Sequence, residues 1–245
     1  MTSLRDPLGD SLRDSLEFPE APARHPGRHE VLDAVLSRGG ERIPVVVKKV
    51  PLDLRQRLTA PKAMRSLATA RALVARGIAT PEPLAAEVVG QESWYVARRL
   101  EGAAQIRAWF LHRDDSSRPL PPLPLSFEAV VEALGRMARR MHDAGVFFRD
   151  FTDGNVLVTS EEGEPRLWLV DLNRATVADS PVSRLRRYRD LARPGLNRPE
   201  DINLFILSYF RPEPTPIEAL GAVRVLRRRI VGWDDFKTFA RPWRR

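Results

Sequence analysis

Apolar and polar positions alternate along the first third of the chain, and the pattern changes beyond it. From Glu30 to Leu54 the spacing is strand-like, with the β-branched run RIPVVVKKV following the turn-forming pair Gly39-Gly40. Pro61 opens a helix with Met64, Leu67, Ala68, Val74 and Ala75 on one face, and Gly77 fits its end. PEPLAAEVVGQESWYVARRLEG then reads as two strands about a turn at Gly90–Ser93, finishing at Glu101-Gly102. Residues 111–125 form a Pro-rich connector. Ser126 caps a long helix whose apolar stripe is Phe127, Val130, Val131, Leu134, Met137, Ala138 and Met141, ended by Gly145. NVLVTS and RLWLVDL follow as strands joined by EEGEP. Ile202, Phe205, Ile206 and Tyr209 share a later helical face, and Thr215-Pro-Ile-Glu218 is a capping box that opens a last helix.

Strands and helices are thus segregated along the chain, which predicts an α+β fold and not a doubly wound parallel sheet. Residues 1–28 carry mixed charges and four prolines without a sustained period, and predict a mobile arm. No internal repeat is present.

Composition narrows the function classes. With no cysteine among 245 residues, disulfides and thiolate metal sites are excluded, and with four histidines a His-rich metal site is not expected. No apolar run reaches the length of a membrane span, and the N-terminus lacks an apolar signal core, so an intracellular protein is expected. The net charge of +8 is concentrated: Pro181 to Arg245 holds 15 basic and 7 acidic residues, and the rest of the chain balances. Such a field suits an anionic partner, whether nucleic acid, a phospholipid surface or a phosphorylated small molecule. Only four of the 40 basic residues are lysines, yet two of them, Lys48 and Lys49, are adjacent.

The chemistry-bearing stretch is MHDAGVFFRDFTDGNVLVTSEEGEPRLWLVDLNRA. Asn155 stands five residues after Asp150 and opens one apolar strand, and Asp171 closes the next. Adjacent strands would bring Asn155 and Asp171 together, with Asp150 on the entering loop. One carboxylate and one amide oxygen can hold a divalent cation, and the other carboxylate is left to orient or deprotonate a hydroxyl. Hard oxygen ligands of this kind suit Mg²⁺ carrying a polyphosphate. Each residue alone could be a turn or strand-end residue, but that reading needs three coincidences in register.

The stretch resembles the catalytic core of the protein-kinase-like fold. Its D-x-x-x-x-N element is Asp150 to Asn155, its D-F-G position reads Asp171-Leu172-Asn173, and Phe148 occupies the place of the usual histidine. The chain is more closely similar to the lipopolysaccharide kinase (Kdo/WaaP) family, through Lys62-Ala63, ARALVARGIATPEPLA, LEGA, MHDAGVFFRDFTDGNVLV and LVDLNR, over roughly residues 43–210. That resemblance implies a bilobal kinase-like domain, with a strand-rich lobe over 29–100 and a mainly helical lobe over 101–245. It implies ATP in the cleft between the lobes, with Mg²⁺ or Mn²⁺, and a sugar or glycolipid acceptor at the inner face of a bacterial plasma membrane. Lys48 would contact the phosphates, with Lys49 on the opposite face of its strand. Asn155 and Asp171 would hold the metal, Asp150 would face the acceptor hydroxyl, and the main chain at Glu101-Gly102 would bind adenine. Asp190 in RYRDLA would brace the catalytic loop as structural support. The Arg-rich C-terminal region would meet anionic lipid, and nucleic acid is disfavoured.

Several positions depart from the kinase pattern. The helix after Lys48 contains no acid to pair with it, and no Gly-rich phosphate loop precedes it. Thr152 stands where Ser/Thr protein kinases carry lysine, and no A-P-E segment follows Asp171. A nucleotide-binding pseudokinase, or a kinase for protein or another small molecule, is the alternative. His112-Arg113-Asp114 spells H-R-D, but residue 119 is proline, so no catalysis is assigned to it. His142 and the Trp94-Tyr95 pair are expected to be packing residues.

Overall fold

The computed structural model describes residues 11–20, 30–52 and 60–240. They fold into two compact units, one drawn from residues up to Ala75 and Thr80–Glu101, the other from Arg76–Ala79 and Gly102 onward. Every strand pairing among the described residues is antiparallel. The structure is therefore mixed α and β with antiparallel sheet, in keeping with the segregated order of elements.

The first unit is a five-stranded sheet in the order β1-β2-β3-β5-β4. Its strands are β1 (Leu16–Glu17), β2 (Glu30–Arg38), β3 (Glu41–Pro51), β4 (Pro83–Val89) and β5 (Glu92–Arg98). Two-residue turns, Gly39-Gly40 and Gly90-Gln91, close the β2–β3 and β4–β5 hairpins. Period-two alternation puts Ile43, Val45 and Val47 on one face of β3, in a core cluster with Leu36, Trp94 and Val96. Helix α1 (Lys62–Ala75) packs on β3, β4 and β5 and buries Ala63, Ser66, Ala70 and Leu73.

The arm expected over residues 1–28 is corrected at residues 11–20. Leu12 and Leu16 lie in the same core cluster. β1 pairs with β2, and the backbone N–H of Leu12 donates to Glu87 Oε2 at 2.8 Å. Two leucines four residues apart anchor a segment that is otherwise mostly polar. The rest of the expected arm lies outside the described residues.

The second unit holds β6 (Ala104–Gln105), α2 (Arg107–Asp114), α3 (Phe127–Asp143), β7 (Val146–Phe148), β8 (Val156–Glu161), β9 (Glu164–Leu169), β10 (Ala175–Val177), α4 (Arg184–Leu191), α5 (Pro199–Phe210) and α6 (Ile217–Ala240). Helix α3 is its spine. Ser126 Oγ accepts the N–H of Ala129 at 3.1 Å, a cap worth about 1 kcal/mol. Val130, Val131, Leu134, Met137, Ala138 and Met141 are buried, and the larger of these side chains contribute roughly 1.5–3 kcal/mol each. Gly135 lets α3 approach α5 closely, since a Cβ there would lie 2.7 Å from the carbonyl oxygen of Phe205. The connector expected at 111–125 begins later than its prolines suggested, because α2 runs to Asp114 with Trp109 and Phe110 buried.

Three strands, β6-β8-β9, form one small sheet, and β10-β7 form another. These two sheets position the chemistry.

Candidate active site

The loop after β7 carries Asp150, and a 3₁₀ turn over Asp153–Asn155 returns the chain into β8. The turn is internally pinned. Asn155 Nδ2 donates to the carbonyl oxygen of Asp150 at 2.8 Å, and the Thr152 N–H donates to the same oxygen at 2.7 Å. An amide whose nitrogen is committed in this way presents its Oδ1 as a fixed acceptor. Arg107 holds the middle of the loop through Asp153, at 3.0 and 3.2 Å.

Asp171 reaches the same place through register. β8 and β9 pair Val156 with Leu169, and one step further the N–H of Val170 donates to the carbonyl oxygen of Asn155 at 3.0 Å. Asp171 follows directly, with φ 55° and ψ 55°. A non-glycine residue in the left-handed region is strained by about 1–2 kcal/mol. Such strain clusters at functional sites. Asn173 Nδ2 donates to Asp171 Oδ1 at 2.8 Å. The next residue, Arg174, ends a second 3₁₀ turn and places Nη1 3.1 Å from Asp150 Oδ1. β10 then pairs with β7, Ala175 opposite Phe148, which ties the Asp171 turn to the strand that delivers Asp150. The structure thus brings Asp150, Asn155 and Asp171 into one small region of the second unit.

Beneath this region runs a buried polar chain. Arg187 Nη1 donates to the Tyr209 hydroxyl at 3.1 Å, and that hydroxyl lies 3.0 Å from His142 Nδ1. His142 Nε2 is 3.3 Å from Asp190 Oδ2, which also accepts the N–H of Phe148 at 2.8 Å. His142 and Asp190 are fully buried. Burial, with Arg187 nearby, pushes the imidazole down to about 3, so it is neutral and orders the chain as a donor–acceptor relay. Burial pushes the Asp190 carboxyl up to about 8 against the opposing effect of the Phe148 N–H. Phe148 itself is buried against Phe151. It fills the histidine position of the kinase pattern with packing.

In the first unit, strand alternation separates the paired lysines. Lys49 lies on the face of Val45 and Val47, with its Nζ 4.8 Å from the Trp94 ring centroid, 4.9 Å from that of Phe18 and 3.3 Å from Glu30. Lys48 lies on the other face, opposite Tyr95 across the β3–β5 pair. Glu101 is exposed at the point where the chain leaves this unit, followed by Gly102 at φ 64°.

The H-R-D decoy is structural. His112 Nδ1 is 2.6 Å from the Arg118 carbonyl oxygen, Arg113 pairs with Asp201, and Asp114 accepts from Asn197. Sequence reasoning missed Arg174 and the Arg107–Asp153 brace. The basic residue closing DLNR was the available signal for the first. Among the described residues no group of three His, Cys, Asp or Glu could hold a metal ion. The fit to a cation therefore rests on the oxygen pair of Asn155 and Asp171, which suits Mg²⁺ that keeps water and phosphate oxygens as its other ligands.

A family model for the lipopolysaccharide kinase (Kdo/WaaP) family matches residues 42–198. Among solved structures the chain is similar to that of WaaP in complex with acyl carrier protein. The TM-score is 0.57 and the identity 25%, over 86% of this chain and 88% of that one. No curated protein matches it.

Proposed function

This chain belongs to the lipopolysaccharide kinase (Kdo/WaaP) family, and from that premise we propose that it transfers the γ-phosphate of ATP to a hydroxyl of a lipopolysaccharide-core or related glycolipid sugar. Family members are lipopolysaccharide kinases, so the chain is a phosphotransferase. The observation that carries the finer reading is the convergence of Asp150, Asn155 and Asp171 within the second unit.

In this reading the acceptor oxygen forms a bond to the γ-phosphorus as the bond to the β,γ-bridging oxygen breaks, and ADP leaves. Asp150 orients the acceptor hydroxyl and takes its proton. Asn155 Oδ1 and the Asp171 carboxylate hold Mg²⁺ or Mn²⁺, which supplies charge neutralisation on the phosphates. Lys48 adds a point charge to the phosphates, and the main chain at Glu101-Gly102 receives adenine. Asp190 serves as structural support by fixing the backbone that leads to Asp150. The bilobal protein-kinase-like arrangement, with the two compact units as its lobes, is part of this proposal. Catalysis is then mostly positioning and electrostatics.

Two partner classes complete it. No helix among the described residues is long and apolar enough to cross a membrane. Exposed Arg184, Arg186, Arg189, Arg228 and Arg229 on α4 and α6 support peripheral contact with an anionic bilayer, at the inner face of the plasma membrane where the glycolipid would be met. The complex of WaaP with acyl carrier protein supports a protein partner as well.

The test is transfer of radiolabelled γ-phosphate, with Mg²⁺ or Mn²⁺, to core oligosaccharides, small sugars and protein extract. Label is expected on core oligosaccharide. Asp171→Ala should abolish it, and Asp150→Ala should cut it severely while sparing nucleotide binding. Wild-type turnover in either variant refutes the assignment, and nucleotide binding without transfer identifies a pseudokinase.

A further inference from the structure

The ion pair between Arg174 and Asp150 joins residues 24 apart in sequence, through Nη1 and Oδ1 at 3.1 Å. Among the described residues it is the one ion pair Asp150 makes. The arrangement is built by the backbone. The 3₁₀ turn after Asp171 carries the chain to β10, and β10 is held in register against β7, the strand that leads into Asp150. The Asp150 side chain is 29% exposed and that of Arg174 is 70% exposed, so the pair meets solvent mainly through the guanidinium.

The loop itself supplies no cation at the position where a kinase loop usually has one, because residue 152 is threonine. A carboxylate facing an incoming hydroxyl also faces the phosphoryl group that hydroxyl attacks, and the two negative charges repel. A cation on the far oxygen of the carboxylate offsets that repulsion and fixes which oxygen is turned to the acceptor. We propose that Arg174 is a positioning residue for phosphoryl transfer: it holds Asp150 by Oδ1, turns Oδ2 toward the acceptor hydroxyl, and supplies the positive charge that Thr152 does not. This rests on the assignment of Asp150 made above. It adds a second function to the DLNR turn, whose aspartate serves the metal and whose arginine serves the acceptor side.

The experiment uses the full chain with MgATP and core oligosaccharide, comparing Arg174→Ala, Arg174→Gln and Arg174→Lys with Asp150→Asn. The Ala and Gln variants are expected to lower kcat on the order of 10–100-fold, with KM for MgATP moving less than about threefold. The Lys variant, which restores charge without the guanidinium fork, should recover most of the loss. If Arg174→Ala does not fold, the Gln and Lys pair still separates charge from bulk. A kcat within about twofold of wild type in the uncharged variants overturns the proposal. So does a rise in KM for MgATP alone, or a Lys variant as slow as Gln. Asp150→Asn marks where a failure lies: full activity there sinks the assignment of the loop, whereas an inactive Asp150→Asn beside fully active Arg174 variants sinks this inference only.

Discussion

Asp190 and Phe148 are joined across 42 residues by a 2.8 Å hydrogen bond from the backbone N–H of Phe148 to the buried carboxyl of Asp190. The bond fixes β7 two residues before Asp150. The other carboxyl oxygen, Oδ1, is buried without a hydrogen-bond partner. The carboxyl is thus half-satisfied, and burial raises it from 3.8 to about 8. The folded protein therefore keeps a proton that the unfolded chain releases near 3.8, and the stability tied to that proton is lost as pH rises through about 8. His142 stays neutral when folded and titrates near 6.5 only in the unfolded chain, a contribution shared by wild type and Asp190→Asn, so comparing the two isolates Asp190. Between pH 6.5 and 8 the wild type should lose stability relative to Asp190→Asn by up to about 1.4 kcal/mol per pH unit. Urea melts of both proteins across that range check it, and parallel pH profiles would show that Asp190 is ionised when folded.

Two glycines with the same backbone hand should respond very differently to alanine. Gly145, at φ 76°, ends α3, and a Cβ there would lie 2.1 Å from the carbonyl oxygen of Ala178 and 2.7 Å from that of Ser180. Gly163, at φ 83°, closes the β8–β9 hairpin with nothing within 4 Å of a Cβ. Gly163→Ala should cost only the left-handed penalty, about 1–2 kcal/mol. Gly145→Ala adds a collision with backbone and should cost more than about 4 kcal/mol. Denaturation midpoints for the two variants measure the difference directly. Equal losses would mean that the chain near Ala178 yields freely.

Lys48 and Lys49 are chemically identical neighbours with different expected phenotypes. Lys49 sets its ammonium over the Phe18 and Trp94 rings and pairs with Glu30, so Lys49→Ala should cost about 1–2 kcal/mol of stability while turnover persists. Lys48, on the other face of β3, differs at the active site: Lys48→Ala is expected to lose on the order of 100-fold or more in γ-phosphate transfer. A thermal melt and a transfer assay on each variant suffice. Exchanged phenotypes would reverse the assignment of the two faces.

Much of this was legible because it is local. Ser126, the apolar stripe from Val130 to Met141, and Gly145 lie within twenty residues and obey one period, so sequence alone bounds α3. Asp150, Asn155 and Asp171 were legible because their relation needs only a hairpin between them. What escaped depends on register between distant segments. β7 and β10 are three residues each, too short for alternation to show, and their pairing is what sets Arg174 against Asp150. Leu12 and Leu16 were overlooked because charged neighbours outnumber them, although two buried leucines suffice to hold β1 on the sheet edge. The link from His142 to Asp190 spans 48 residues and left no local trace, and RYRDLA pointed to Asp190 as a brace only through resemblance.

Asp171 offers the sharpest separation of function from stability. Its left-handed backbone is unfavourable for most side chains, tolerable for asparagine and free of strain for glycine. Replacing it by glycine frees the backbone and forfeits the 2.8 Å hydrogen bond from Asn173, worth about 1 kcal/mol. Asp171→Gly and Asp171→Asn should therefore denature closer to wild type than Asp171→Val does, and yet transfer no phosphate. Asp171→Val keeps neither the carboxylate nor a tolerated conformation and should lose about 2 kcal/mol or more besides. A strained carboxylate retained for chemistry predicts this order in urea midpoints, with all three variants inactive. If the glycine variant instead unfolds several kcal/mol early, the carboxylate is holding the turn together, and its service to a metal has no support from the backbone.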